Sequence, residues 1–360
     1  MKKLRVGILG STGMVGQRFI SLLNNHPWFE ISCVAASPES AGKKYDLAIK
    51  GRTNPETKIP DYVKHLKINS VEDDFNSIVK KVDFVFSALG MEKEKVANLE
   101  IAFAEKGIPV ISSNSAHRWT QDVPMIMPEI NPNHIKLIDI QRKKRGWKSG
   151  LILVKPNCSI QSYVIVLTAL CKFKPLKVSV TNLQAISGAG KTFDTWPEMV
   201  DNVIPFIKGE EEKSEKEPLK IWGEITKDKI YCDSKPLISS TCIRIPVSNG
   251  HMSSVAVKFK TKPSKEEIIH AVKNFKNPLK DLRLPSAPRN NLIKYFNELD
   301  RPQTKFDRDY QNGMGITMGR LREDTLFDWK FITLSHNTIR GAAGGAIIAA
   351  ELLVRKGYIK

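Results

Sequence analysis

One cysteine, one histidine and one arginine stand where their side chains can do chemistry. Cys158 lies in LVKPNCSIQ, where an apolar run stops at a proline and an asparagine just before a helical pattern begins. A cysteine attacks as thiolate, so it needs a cation, a base or a helix N-terminus beside it. Most free cysteines are small buried hydrophobes, and position alone leaves that reading open. Among 7 histidines, the one with loop context is His251 in RIPVSNGHMSSVAV, which follows Arg244 through a glycine turn. An imidazole titrates near neutrality and suits general acid–base work. His117 in SNSAHRW and His336 before the last helix compete for that role.

A second constellation is Gly10–Ser11–Thr12–Gly13–Met14–Val15–Gly16, between a short apolar run and a helical pattern. Glycines there let the backbone turn tightly and approach a pyrophosphate, and the helix N-terminus offers free N–H groups to it. Strand before and helix after make this a dinucleotide site. NAD-selective sites carry an acid at the end of the second strand, about 20 residues on. Ser37 stands there instead, followed by Ser40, Lys43 and Lys44 in SPESAGKK, so NADP(H) is favoured over NAD. A plain glycine turn and solvated lysines are the bland alternatives.

The elements that must position these groups follow from periodicity. Residues 4–9, 30–37 and 82–89 and the segment IPVISS read as strands, and VANLEIAFAEKG reads as a helix stopped by Gly107. Alternating strands and helices imply an α/β fold, a Rossmann-like doubly wound parallel sheet. After Cys158 the pattern changes. SYVIVLTALCKF reads as a helix, while KVSVTNLQAIS, STCIRIPV and SSVAVKFK read as strands of a mixed sheet in an α+β catalytic and dimerisation domain. Residues 207–220 read as a helix start or exposed loop, residues 276–306 as a surface excursion, and the end as a helix from about Ile339 to Lys356. That helix is expected to return to the first unit. The expected division is therefore 1–157 with 338–360 for the cofactor, and 158–337 for catalysis and dimerisation.

Composition bounds the rest. The 360 residues suffice for two cores, with 41% hydrophobic and 26% charged residues. The 5 cysteines are scattered without a CxxC pair, so neither a metal site nor a disulfide framework is expected, and a reducing cytoplasm fits. No secretory signal is visible, and the stretch AAGGAIIAAELLV is too short for a bilayer span, so no membrane association is expected. The formal charge of +18 is spread as lysine pairs rather than gathered in one arm, which argues against nucleic acid as a partner.

GSTGMVG, SNSAHR, PNCS, QAISGAG, R-x6-H and the closing NTIRGAAGGA occur in order along nearly the whole chain. In these motifs the chain resembles aspartate-β-semialdehyde dehydrogenases of the archaeal and fungal-like branch. The resemblance implies NADPH-dependent reduction of aspartyl-β-phosphate to aspartate semialdehyde, within lysine, threonine and methionine biosynthesis. Cys158 would form a thioester, His251 would be the acid/base, and Gln184 would orient the acyl group. Asn157 stands beside the nucleophile, Arg244 would hold the substrate α-carboxylate, and Glu210 its ammonium, with Glu211 a rival. Lys213, Asn114 and Arg118 would take the phosphate. Ser187, Gly188, Gly190 and Asn337 would meet the nicotinamide end; for Asn337 a helix cap is the alternative. A homodimer or homotetramer is implied. Malonyl-CoA reductase shares the fold and the thioester, and N-acetyl-glutamyl-phosphate reductase is a more distant relative. A basic cofactor-binding protein without catalysis is the reading of another class; loss of Cys158 or His251 would leave it unharmed.

Overall fold

Short apolar runs of six residues or fewer build most of the first sheet in the computed structural model, which describes residues 2–53 and 56–360. Its strands are β1 (Leu4–Leu9), β2 (Phe29–Ala36), β3 (Asn69–Ser70), β4 (Phe84–Ser87), β5 (Pro109–Ser112) and β6 (Leu151–Val154). They are parallel in the order β3-β2-β1-β4-β5-β6, the doubly wound order that leaves a crevice beyond the strands' carboxyl ends. Being covered on both faces, β4, β5 and β6 are buried throughout and read as continuous rather than alternating apolar runs. The Met14–Leu22 helix is fixed on this sheet by Phe19, whose ring stacks on Phe86 at 4.5 Å. Gly16 allows that closeness: a Cβ there would run into the Gly10 carbonyl oxygen.

The second sheet comprises β7 (Pro175–Gln184), β10 (Leu237–Arg244), β11 (His251–Phe259), β12 (Ile293–Tyr295), β13 (Ile316–Glu323) and β14 (Trp329–Ser335); β8 (Glu224–Thr226) and β9 (Lys229–Tyr231) form a separate ribbon. The order is β10-β7-β11-β14-β13-β12, with β10/β7 and β12/β13 parallel and the other pairs antiparallel, hence mixed as expected. One face carries Val178, Val180, Val255 and Val257, which share a core with the Gln161–Ala169 helix. Side chains alternate on β7 and β11 between buried and exposed, the mark of a sheet covered on one side.

One expectation changes, and one open choice is settled. The 276–306 stretch is not only a surface excursion: β12 extends the second sheet, and Leu279 and Leu284 join the core of the first unit. The charged 207–220 stretch is a helix, Glu210–Ile221, half of whose residues are buried. The closing Gly344–Arg355 helix buries Ile347, Ile348, Leu352 and Leu353 in the same core as Val6 and Ile8, so the chain ends on the first sheet. One π-turn, Ile339–Ala343, precedes it. Among the described residues no helix is long and apolar enough to cross a membrane.

Candidate active site

Cys158 sits beyond the carboxyl end of β6, on the turn that leads to the Gln161–Ala169 helix. Pro156 ends the strand ladder, and Asn157 shapes the turn. The Asn157 side-chain oxygen accepts from the Ser159 N–H and hydroxyl, both at 2.7 Å, and its backbone carbonyl accepts from the Gln161 amide at 2.9 Å. The Asn157 N–H donates to Glu217 at 2.6 Å. These bonds aim a partly exposed Cys158 into the crevice.

The second sheet brings its partner. His251 opens β11, and its Nε2 lies 3.4 Å from Cys158 Sγ. Its Nδ1 accepts from the Ala185 N–H at 3.1 Å, so the neutral ring carries its proton on Nε2, facing the sulfur. Burial, with the Arg244 charge behind it, pushes His251 down to about 3. A near-neutral titration was the sequence expectation; enclosure removes it. Arg244 ends β10 in register with Gln184 on β7, and its guanidinium donates to the Ala185 carbonyl at 2.8 Å. Gly188 roofs both: a Cβ there would lie 2.8 Å from Arg244 Nη1 and 3.2 Å from His251 Nε2. Asn337 ties the roof to the floor, accepting from the Gly250 N–H at 2.8 Å and donating to the Ser187 hydroxyl at 2.9 Å. It is no helix cap.

A carboxylate completes the pocket. Glu210 accepts from the Asn157 amide on both oxygens at 3.0 Å, from Gln184 at 3.2 Å and from Lys213 at 2.8 Å. Burial would raise its pKa, but Lys213, Asn157 and Gln184 outweigh that and hold it below the usual range. Glu211 faces elsewhere, accepting from the Cys242 N–H at 3.1 Å. Loss of water around the sulfur, then the Glu210 charge, push Cys158 up to about 11, against the pull of Lys155, Arg118 and Arg244.

Not every expected residue converges. Arg118 does come near, paired with Glu217 at 2.8 Å. The Asn114 amide is spent on Ser87 at 2.9 Å and Glu100 at 3.1 Å, and no bond carries it to Cys158. His117 bonds Thr120 and the Ala97 carbonyl, and His336 lies 3.9 Å from Glu56; neither touches the thiol. Glu217 and Lys155 were missed by sequence reasoning. Glu217 hides in a charged run that reads as solvated, although its place two turns beyond Glu210 puts both on one helix face.

The glycine loop faces the Gln184–Gly190 segment. Thr12, Gly13 and Met14 share a cleft of about 320 Å³ with Arg52, Gly190 and Thr192, and Met14, Ser187 and Asn249 line a second of the same size beside it. The Ser11 hydroxyl is buried without a partner, and the helix opening at Met14 and Val15 has no side-chain cap. Unmet donors at such a place suit a pyrophosphate. Ser37 follows β2 directly. Ser40 is buried and donates its N–H to the Ser37 carbonyl at 3.0 Å, while Lys43 is exposed.

Comparison with known proteins accords with this geometry. Residues 5–138 match the semialdehyde dehydrogenase NAD-binding domain, and residues 167–340 match the semialdehyde dehydrogenase dimerisation domain. The chain is 42% identical over 355 residues to the aspartate-semialdehyde dehydrogenase of Archaeoglobus fulgidus, covering 98% of this chain and 99% of that one. It is 40% identical over 366 residues to the Aspergillus fumigatus enzyme, covering 99% of each. The crystal structure of aspartate-semialdehyde dehydrogenase with NADP from Candida albicans superposes with a TM-score of 0.87 at 35% identity, covering 99% of this chain and 100% of that one. Full-length likeness over both domains leaves one conclusion: the chain belongs to the aspartate-semialdehyde dehydrogenase family.

Proposed function

We propose that this protein reduces L-aspartyl-β-phosphate to L-aspartate 4-semialdehyde with NADPH, through a thioester on Cys158. The observation that carries the reading is the 3.4 Å approach of His251 Nε2 to Cys158 Sγ, flanked by a buried guanidinium and a buried carboxylate. Arg244 offers a planar fork to an α-carboxylate, and Glu210 offers its charge to an ammonium. That pair favours an amino-acid substrate over malonyl-CoA, which has no ammonium.

The Cys158 thiolate attacks the acyl carbonyl, a C–S bond forms, and the C–O bond to phosphate breaks. Lys213 and Arg118 receive the departing phosphate, which leaves with the proton that the Cys158 thiol gave up. Covalent capture divides one difficult step into two easier ones. Bound NADPH supplies the hydride. Its pyrophosphate would lie on Gly10–Gly16 and its nicotinamide end near Ser187, Gly188 and Asn337; the unpartnered Ser11 hydroxyl fits such a guest. Ser37 and Ser40 leave the ribose 2′-phosphate unopposed, with Lys43 as a counter-charge. Because His251 Nδ1 is held by Ala185, its Nε2–H acts as a neutral donor to the sulfur and to the oxygen that gains charge. Expulsion of the thiolate then releases the aldehyde.

We read 1–157 with 338–360 as the cofactor unit and 158–337 as the catalytic and dimerisation unit. The match to a dimerisation domain and the half-open second sheet support association of identical chains through that sheet. The test is an absorbance assay: aspartate semialdehyde, phosphate and NADP⁺ should give sustained NADPH formation only when all three are present. A parallel run with malonyl-CoA and NADPH should stay flat; activity there alone would reverse the substrate assignment.

A further inference from the structure

Arg118 and Asn157 stand on two loops of the first sheet, one beyond β5 and one beyond β6. One carboxylate holds both, and it comes from the Glu210–Ile221 helix, which packs on β10 of the second sheet. Glu217 Oε1 accepts from Arg118 Nη1 at 2.8 Å, and Oε2 accepts from the Asn157 N–H at 2.6 Å. Glu217 is fully buried. A buried ion pair of this kind is seldom needed for stability, since apolar groups of the same shape serve as well. Its geometry therefore calls for another reason.

The same helix grips both loops at two other points. Glu210, two turns earlier, takes the Asn157 side-chain amide on both oxygens at 3.0 Å. Lys220, one turn later, donates to the Arg118 carbonyl at 2.6 Å and to the Val123 carbonyl at 3.3 Å. Those bonds hold the loops without Glu217. What Glu217 adds is the direction of the guanidinium. Arg118 Nη2 reaches the Ser113 carbonyl at 3.3 Å, while Nε is buried without a partner. A planar fork pinned at Nη1 and Nη2 keeps Nε as a donor for an oxyanion.

We propose that Glu217 is a positioning residue: its two oxygens fix the Arg118 guanidinium against the Asn157–Cys158 turn, so that the phosphate site and the nucleophile keep a set separation. The inference rests on the assignment of the phosphate to Arg118 above. Both partners of Glu217 are donors, and a carboxylate alone accepts from both. A glutamine of the same size has one acceptor and one donor group. It must turn an N–H towards either the guanidinium or the Asn157 N–H, so one of the two bonds is lost.

The test is protection of Cys158 by inorganic phosphate against iodoacetamide alkylation, read by mass spectrometry on the full-length protein. Glu217→Gln should raise the half-protecting phosphate concentration about tenfold, the loss expected for one charge-assisted bond. The Kd for NADP⁺ should hold, which also reports an intact fold. Arg118→Gln should raise the phosphate concentration at least as much. Adding Glu217→Gln to Arg118→Gln should shift it by no more than about twofold further, because one residue acts through the other. That double variant leaves neither charge buried alone, so it decides the matter even where Glu217→Gln by itself folds poorly. No protection in the parent, an unchanged concentration in Glu217→Gln, or additive shifts in the double variant would overturn the proposal. The probe needs no turnover, so a wrong acyl substrate shows in the coupled assay of the parent and leaves this measurement untouched.

Discussion

Ala185 and His251 are joined by a backbone N–H to Nδ1 hydrogen bond of 3.1 Å, and that bond decides what the imidazole does to Cys158. A donor at Nδ1 forces the ring proton onto Nε2, 3.4 Å from the sulfur. His251→Ala should lose about 10²–10⁴-fold in turnover with cofactor affinity kept. His251→Gln can still present an N–H donor and should lose distinctly less. Equal losses in the two variants would mean that the ring shuttles a proton, against the tautomer that the Ala185 bond favours.

The histidines also set an acid limit on stability. His251 and His336 are both buried and pushed down to about 3, His251 by burial and Arg244, His336 by burial and then Arg18 and Arg308. Unfolded, each would bind a proton near pH 6.5. The unfolded chain therefore holds more protons between those values, and stability falls as pH drops below about 6.5. Urea midpoints should hold from pH 7.5 to about 6.5 and decline from there to 4.5, and a midpoint flat across the whole range would contradict the burial of both rings.

Glu210 and Glu211 make a clean pair because only Glu210 reaches Asn157 and Gln184. Glu210→Gln should raise the KM for aspartate semialdehyde by about tenfold or more, the loss expected for one charge-assisted bond. It should also speed Cys158 alkylation, since a repelling charge is gone. Glu211→Gln should leave both readings at the parent values. The reverse pattern would move the ammonium partner to Glu211.

How far the site could be read in the sequence depends on the range of each interaction. The Gly10–Gly16 turn is local, with strand, glycines and helix following one another, and it was legible. The mixed character of the second sheet was legible from alternation, but the parallel pairing that sets Arg244 beside Gln184 was not, because register is a long-range property. Glu210–Ile221 remained ambiguous because three adjacent glutamates hide a buried face. Lys155 was invisible for a related reason: a lysine in a loop reads as solvated until the closing helix is laid over it. The depressed titration of His251 is likewise a product of enclosure, which no motif spells out.

Cofactor choice is tested at Ser37. Ser37→Asp would set a carboxylate where a 2′-phosphate is expected, and like charges so placed cost several kcal/mol. The ratio of kcat/KM for NADP⁺ over NAD⁺ should fall by about 10²-fold or more. A ratio that does not move would place the adenosine ribose elsewhere.

Gly188 tests the roof. A methyl there would press on Arg244 Nη1 at 2.8 Å and His251 Nε2 at 3.2 Å. Gly188→Ala should cut turnover by about 10²-fold, the effect of displacing reacting groups by an ångström, with the melting temperature little changed. Full activity would show that the loop lifts away during the reaction.

The thioester itself is the most direct test. The protein, mixed with aspartate semialdehyde and NADP⁺ in the absence of phosphate, should release a burst of NADPH close to one per active site and then stop. Intact mass and peptide mapping should find an aspartyl group on Cys158, removed by hydroxylamine or by added phosphate. Cys158→Ser should give neither burst nor adduct while still binding NADP⁺. Sustained phosphate-dependent turnover by the serine variant, or a burst with no acyl group on Cys158, would contradict the mechanism.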